Sequence, residues 1–223
     1  MKSKTPPLYG TLITFEGTEG AGKSTLIALL EERLRQANVP VTRTREPGGS
    51  ELAENIRAIL LAQNMDSRTE LFLYEAARCE HLARTVLPAL ARGDIVLCDR
   101  FTDSTFAYQG SARGLPWKEV ETANQIATQG VKPKLTFWLD LEPAKGLARA
   151  TVRTRFEDEG LEFQKRVRAG YTKLRKMEPR RFHVLRSDRL SPEAMCEEAW
   201  LILSRTLNRI QRTKKKSSRR ERK

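Results

Sequence analysis

Gly17-Thr18-Glu19-Gly20-Ala21-Gly22-Lys23-Ser24 fits the pattern G-x-x-x-x-G-K-[ST] without deviation. Each residue type in it has a task. Glycines let successive backbone N–H groups turn inward and come close to phosphate oxygens. A helix opening near Lys23 points the positive end of its dipole at the same oxygens. Lys23 can follow the charge of the β- and γ-phosphates of a nucleoside triphosphate, and the Ser24 hydroxyl is suited to magnesium. The flanks agree: TLITFE before the loop reads as a strand, and STLIALLEERL after it as a helix. A bare glycine turn is the competing reading, and this strand–loop–helix context counts against it. By itself the loop specifies a nucleoside triphosphate and leaves kinase and ATPase open.

Outward from the loop, strand-like and helix-like segments alternate. Short apolar or β-branched runs occur at Thr11–Glu16, Val39–Arg45, Ile95–Asp99, Leu135–Leu141 and His183–Arg186. Three of them are nearly continuous apolar runs, as expected for strands covered on both faces. Between them, Leu26, Leu30 and Leu34 recur at helical spacing, as do Leu52, Ile56, Ile59 and Leu60. Ser191–Pro192 pairs a capping residue with proline at the first helical position, and Ser50 suits the start of another helix. The alternation predicts an α/β fold with a parallel sheet flanked by helices. One domain over residues 1–208 is expected, followed by a tail over residues 209–223.

The tail explains the charge. The chain has 223 residues and a net charge of +13, of which the tail, with nine Lys and Arg against one Glu, holds +8. The rest is ordinary for a domain that handles phosphates. The tail reads as a disordered appendage, solvated or in contact with nucleic acid or anionic lipid. With 39% hydrophobic residues the chain can bury a core. No run approaches the roughly 20 apolar residues of a membrane span, and the N-terminus lacks a signal-like apolar stretch. Cys79, Cys98 and Cys196 match no metal or redox spacing. A reduced, cytoplasmic setting without membrane contact follows.

Ile95–Asp99 is an apolar strand ending in a carboxylate, the arrangement that serves magnesium beside such a loop. Leu135–Asp140 has the same form. Asp99 is favoured because Arg100 follows it, and a planar guanidinium grips phosphate through two parallel bonds.

Five motifs in register then resemble bacterial thymidylate kinase: FEGTEGAGKST, TREPGGSELAENIR, LYEAARCEHL, DRFTDSTFAYQG and RFEDEGLEFQKRVRAGY. The similarity runs from about Leu12 to about Leu203. It implies a P-loop kinase fold with a five-stranded parallel sheet and a short lid at about residues 149–158. It also implies phosphoryl transfer from ATP, with Mg²⁺, to dTMP, and a homodimer. ATP would lie on Gly17, Thr18, Glu19, Gly20, Ala21, Gly22, Lys23, Ser24 and Thr25, with Arg149 against adenine. Mg²⁺ would sit at Ser24 and Asp99. The acceptor would be held by Glu46, Pro47, Arg57, Tyr74, Arg78, Arg100, Thr105, Tyr108 and Gln109. In that reading Tyr74 stacks on thymine, Arg78 donates to its O4, and Tyr108 crowds the sugar 2′ side. Lys23, Asp99, Arg100, Glu19 and a lid arginine would serve the transfer itself. The loop has Gly20 where some relatives carry an arginine, so the cation must come from Arg149, Arg153 or Arg155, with Arg153 favoured. Only Thr154 separates Arg153 from Arg155, a shorter lid than relatives commonly have. Two rivals stand beside this expectation: a kinase for another deoxynucleoside monophosphate, and an ATPase that binds nucleic acid through the tail. Neither histidine is expected to be a catalyst, and Phe72 is expected to be a half-buried helix residue.

Overall fold

Five parallel strands form one sheet in the order β2-β3-β1-β4-β5. They are β1 (Thr11–Glu16), β2 (Val41–Arg45), β3 (Ile95–Asp99), β4 (Leu135–Asp140) and β5 (Phe182–Arg186). The computed structural model describes residues 10–149 and 155–220, without the side chains of residues 157 and 209–220. Position in the sheet explains strand composition. β1 and β4 bury every residue and β3 all but Asp99, because each lies between two neighbours and under helices on both faces. β2 (VTRTR) and β5 (FHVLR) are the edges, and their polar residues reach solvent.

Helix α1 (Lys23–Gln36) turns Leu26, Ile27, Leu30 and Leu34 onto the sheet. There they meet Ile13, Phe15, Phe137 and Leu139, together with Met195, Ala199 and Leu203 of α10 (Pro192–Arg220). Burying each such aliphatic side chain contributes about 1.5–3 kcal/mol. Ser191 caps α10 as its sequence suggests, accepting from the Ala194 N–H at 3.2 Å. Ser50 takes the N-cap position of α2 (Glu51–Ala62) but makes no capping bond; Glu54 instead accepts from the Gly49 N–H at 2.9 Å. Of the apolar stripe on α2, Leu60 is buried, whereas Leu52 and Ile59 are exposed. α10 continues through the boundary that the sequence places at residue 208. The tail's side chains lie outside the described residues.

The other layer contains α3 (Ser67–His81), continued through wider π-type turns into α4 (Leu87–Arg92), then α5 (Thr102–Thr105) and α6 (Trp117–Thr128). α7 (Pro143–Arg149) and α8 (Arg155–Asp158) precede α9 (Gly160–Met177), whose Phe163, Val167, Tyr171 and Leu174 pack with Trp138. Among the described residues no helix is long and apolar enough to cross a membrane.

Candidate active site

At the carboxyl end of β1, Gly17 adopts φ 137°, and a Cβ there would lie 2.5 Å from the Leu139 carbonyl oxygen. Gly20, at φ 72°, would place a Cβ 2.6 Å from the Gly146 carbonyl oxygen. Only glycine lets the loop lie this close to β4 and α7. α1 begins at Lys23, so its first N–H groups open toward a cavity of about 430 Å³ lined by Glu19 through Thr25 with Arg45 and Asp99. Lys23 is buried and donates to the carbonyls of Gly17 (3.2 Å) and Thr18 (3.1 Å). Burial, then the neighbouring Arg100 charge, lowers its pKa.

Asp99 is the open carboxylate at the strand ends. Ser24 Oγ lies 3.5 Å from its Oδ2, and its buried Oδ1 has no hydrogen-bond partner among the described residues. Asp140 is engaged, accepting from Arg168 at 2.6 and 3.0 Å. A hydroxyl beside a carboxylate with a spare oxygen suits magnesium, a hard cation. Among the described residues no three His, Cys, Asp or Glu cluster as a metal cage. An ion at Ser24 and Asp99 would therefore complete its shell with phosphate oxygens and water.

Beside this cavity lies a second, of about 280 Å³. Glu46, Pro47, Arg57, Tyr74, Arg78, Arg100, Thr105, Tyr108 and Gln109, the full acceptor set expected from sequence, all line it. Leu61, Phe101, Ser104 and Phe156 complete the wall. The two cavities meet at Glu19, Glu46, Arg57 and Arg100, which border both. Arg100 has the left-handed φ of 68° just after β3, which returns its guanidinium over the loop. That group donates to Glu19 at 2.5 Å and to the Gly17 carbonyl at 2.9 Å, and lies 5.1 Å from the Tyr108 ring centre. Arg100, with Lys23 behind it, pulls the Glu19 carboxyl down to about 2. Arg57 donates to the Pro47 carbonyl at 2.9 Å, fixing it on the shared edge.

Arg78 is buried and saturated but for one bond. Its Nε donates to Glu46 (2.8 Å), Nη1 to Glu75 and Asn124 (2.7 Å each), and Nη2 to Thr105 (3.0 Å). A guanidinium has five N–H groups, which leaves one, on Nη2, for a ligand in the cavity that Arg78 lines.

The thymidylate kinase family profile matches residues 15–198. The chain belongs to the thymidylate kinase family. It is 49% identical to the thymidylate kinase of Solidesulfovibrio magneticus, covering 87% of this chain and 99% of the relative. Against that of Bacillus velezensis the identity is 45%, covering 92% and 100%. The crystal structure of thymidylate kinase from Ehrlichia chaffeensis superposes with a TM-score of 0.72 at 36% identity, covering 87% of this chain and 98% of that one.

Within this thymidylate kinase frame the lid arginines separate. Arg155 is tied to the acceptor side: it pairs with Glu70 at 2.6 Å, donates to the Leu60 carbonyl and lies over Phe156. Arg149 is exposed beside the phosphate loop, its Cβ 3.0 Å from where a Gly20 Cβ would stand. Arg153 lies outside the described residues.

Several residues of the site are given no role by the sequence reading. His81 is fully buried between Thr44 (2.7 Å) and Glu46 (3.0 Å), so that Arg78 and His81 hold the two oxygens of Glu46 in place. Burial works against the Glu46 charge, but these partners keep its pKa below the usual range. His81 thus holds one oxygen of Glu46 in place. Glu70 anchors Gln109, Arg113 and Arg155. Phe72, expected to be half buried, is 64% exposed because α3 turns Tyr74 and Arg78 inward instead.

Glu16, at the end of β1, accepts from the Phe101 N–H (2.8 Å), Ser104 (2.6 Å) and Tyr171 (3.0 Å), and so sets the segment that follows Arg100. Burial, with Asp103 adding repulsion, pushes its pKa up to about 8. A carboxyl whose folded pKa is raised favours the folded state below its unfolded value, and that contribution is lost as pH rises toward 8. Glu16→Gln is therefore expected to flatten the fall of Tm between pH 5 and 8; thermal melts showing the same slope in both proteins would contradict the assignment.

Proposed function

We propose that the chain performs its family's reaction at the edge shared by the two cavities: the γ-phosphoryl group of ATP passes to dTMP, giving dTDP and ADP, a step of dTTP biosynthesis. The observation that carries this is the shared border of Glu19, Glu46, Arg57 and Arg100 between a phosphate loop and a ring-sized pocket. ATP lies on Gly17–Thr25 with Arg149 beside it. The dTMP phosphate is gripped by Arg57 and Arg100, and thymine lies against Tyr74. The remaining Nη2 proton of Arg78 meets O4 of thymine, where cytosine would present an amino group that cannot accept it. Thr105 and Gln109 border the base edge, Tyr108 the sugar, and Glu46 with Pro47 the wall. The acceptor phosphate is already an anionic nucleophile, so the side chains position and neutralise rather than move protons. Lid closure brings Arg153 to the transferred group. Ser24 and Asp99 would hold Mg²⁺, which would supply positive charge to the phosphates of ATP. The reduced cytoplasm is the setting of this chemistry.

ADP release measured with ATP, Mg²⁺ and dTMP, dUMP, dCMP, dGMP or no acceptor tests the reading. Turnover is expected to depend on dTMP and to stop on chelation of the metal. Release indifferent to every acceptor would return the ATPase alternative.

The chain also pairs with a second copy through one face. Leu52 and Ile59 of α2, Phe72 of α3 and Ile126 of α6 are exposed by 41–72% on helices that pack side by side. Sedimentation should show a dimer, and Phe72→Glu with Ile126→Glu should give a monomer that stays folded. A double variant still dimeric would rule this face out.

A further inference from the structure

A third cavity, of about 320 Å³, lies across α5 from the acceptor pocket, bordered by α6, α9 and residues 131–133. One short wall serves both. Phe101, Ser104 and Thr105 line the acceptor side, and Thr102, Asp103 and Phe106 line the other. Asn124 of α6 stands on this second side, 4% exposed. Its Oδ1 accepts from Arg78 Nη1 at 2.7 Å, which fixes which way the amide points. Its buried Nδ2 has no hydrogen-bond partner among the described residues. A donor left unmet there is unfavourable. Nδ2 is closed off as the side chain stands, but a small shift of the amide toward the cavity it lines would let an acceptor there satisfy it, moving the Oδ1 bond to Arg78 at the same time.

The remaining lining says what would bring that acceptor. Phe106, Trp117, Val131, Leu174 and Met177 supply ring-sized apolar surface. The charges of the wall cancel among themselves: Arg181 pairs with Asp103 (2.6 Å) and Glu178 (2.8 Å), and Lys118 with Glu121 (3.3 Å). Lys132 adds its field to Glu178, whose own pKa is held down first by the bond from Arg181. Among the described lining residues, Lys118, Lys132 and Arg181 balance Asp103, Glu121 and Glu178, so the wall offers no net charge to a phosphate or carboxylate. The volume is close to that of the acceptor pocket, enough for one small ring system.

We infer that this cavity is a second small-molecule site, taking an uncharged flat ring with a carbonyl acceptor, the chemistry of a free nucleobase, and that its occupancy is felt at the dTMP pocket through Asn124 and Arg78. The coupling rests on the placement of the dTMP base at Arg78; the cavity and its ligand class do not. A ligand that engages Nδ2 draws on the same amide whose oxygen steadies Nη1, and Nη2 of that guanidinium carries the last free N–H. The shared α5 wall gives a second path. Coupling of this kind is reciprocal, so dTMP must shift the ring's affinity by the factor by which the ring shifts that of dTMP.

Hypoxanthine and purine are suitable probes, because they share a ring system and differ by the carbonyl. Either is titrated into the isotope-labelled full chain with dTMP, ADP and Mg²⁺ at saturation, so that the nucleotide cavities are filled. Hypoxanthine is expected to shift the Trp117 indole N–H and the Asn124 side-chain amide saturably, leaving Trp138 and Trp200 in place, with purine bound several-fold more weakly. In kinetics it should change KM for dTMP several-fold with little effect on kcat. Met177→Trp, at an exposed position on the rim, should remove both responses while keeping basal turnover. No saturable shift at Trp117, or equal affinity for the two rings, would overturn the site. A KM effect that survives Met177→Trp, or binding without any KM effect, would overturn the coupling. Binding at Trp117 in a chain that ignores dTMP would uphold the ligand class and instead remove the acceptor reading, and the coupling with it.

Discussion

Arg100→Ala is expected to lower kcat/KM for dTMP on the order of 10³-fold while leaving the protein folded. The guanidinium stands where the two cavities meet and touches both the phosphate loop, through the Gly17 carbonyl, and the acceptor wall, through Tyr108. In the proposed reaction its loss removes charge from the line along which the phosphoryl group moves. The structural cost is smaller. Glu19, its ion-pair partner, has a side chain 47% exposed, so water can solvate the carboxylate left behind. Alanine carries a Cβ as arginine does, so the left-handed φ of 68° is no harder for it to adopt. Arg100→Lys should recover only part of the rate, because an ammonium cannot reproduce a planar fork that holds a phosphate with two bonds. Steady-state kinetics in both variants, with Tm measured alongside, check this. Near-normal turnover in Arg100→Ala would remove Arg100 from the reaction.

How far the sequence reaches can be judged from particular residues. The strands were legible to within two residues because each is a local run, and the apolar ones proved to be the inner strands. The phosphate loop was legible because eight consecutive residues carry it. The acceptor pocket was not legible from spacing. Glu46 follows β2 while Arg78 is on α3, and nothing local predicts that they pair at 2.8 Å. Family resemblance supplied that set, and each of its residues lines the one pocket. What neither route gave is the polar support beneath it. Glu16 and Tyr171 are 155 residues apart, and Glu46 and His81 are 35 apart. Such residues look like ordinary solvated polar groups until distant partners bury them. One signal was present for Glu16: a carboxylate closing the apolar run TLITFE must be either a ligand or a paired group. For Arg155, membership of the lid suggested reach toward the phosphates, and the buried Glu70 carboxylate holds it on the acceptor side instead.

Arg78→Met is expected to destabilise the fold by about 3–5 kcal/mol and to abolish discrimination between dTMP and dCMP, two effects that can be pulled apart. Arg78, Glu46 and Glu75 are all buried, and the guanidinium bonds to both carboxylates. Methionine fills much of the volume, so the cost arises from charge rather than from a cavity. Two carboxylates lose their cation, and Glu75 already has an oxygen without a partner among the described residues. In the native chain burial holds the Glu75 pKa above its usual range even with Arg78 opposing it, while Glu46 is kept low. Without Arg78 both must rise. An acid with a raised folded pKa loses stability as pH increases, so the deficit relative to the native chain should be widest near pH 8 and narrow toward pH 5. Adding Glu75→Gln removes one stranded charge and should restore part of the Tm at pH 8. It cannot restore the Nη2 proton proposed to read O4 of thymine, so the double variant should still accept dCMP about as well as dTMP. If stability and base choice instead return together, Arg78 acts on the base only by holding the pocket in shape.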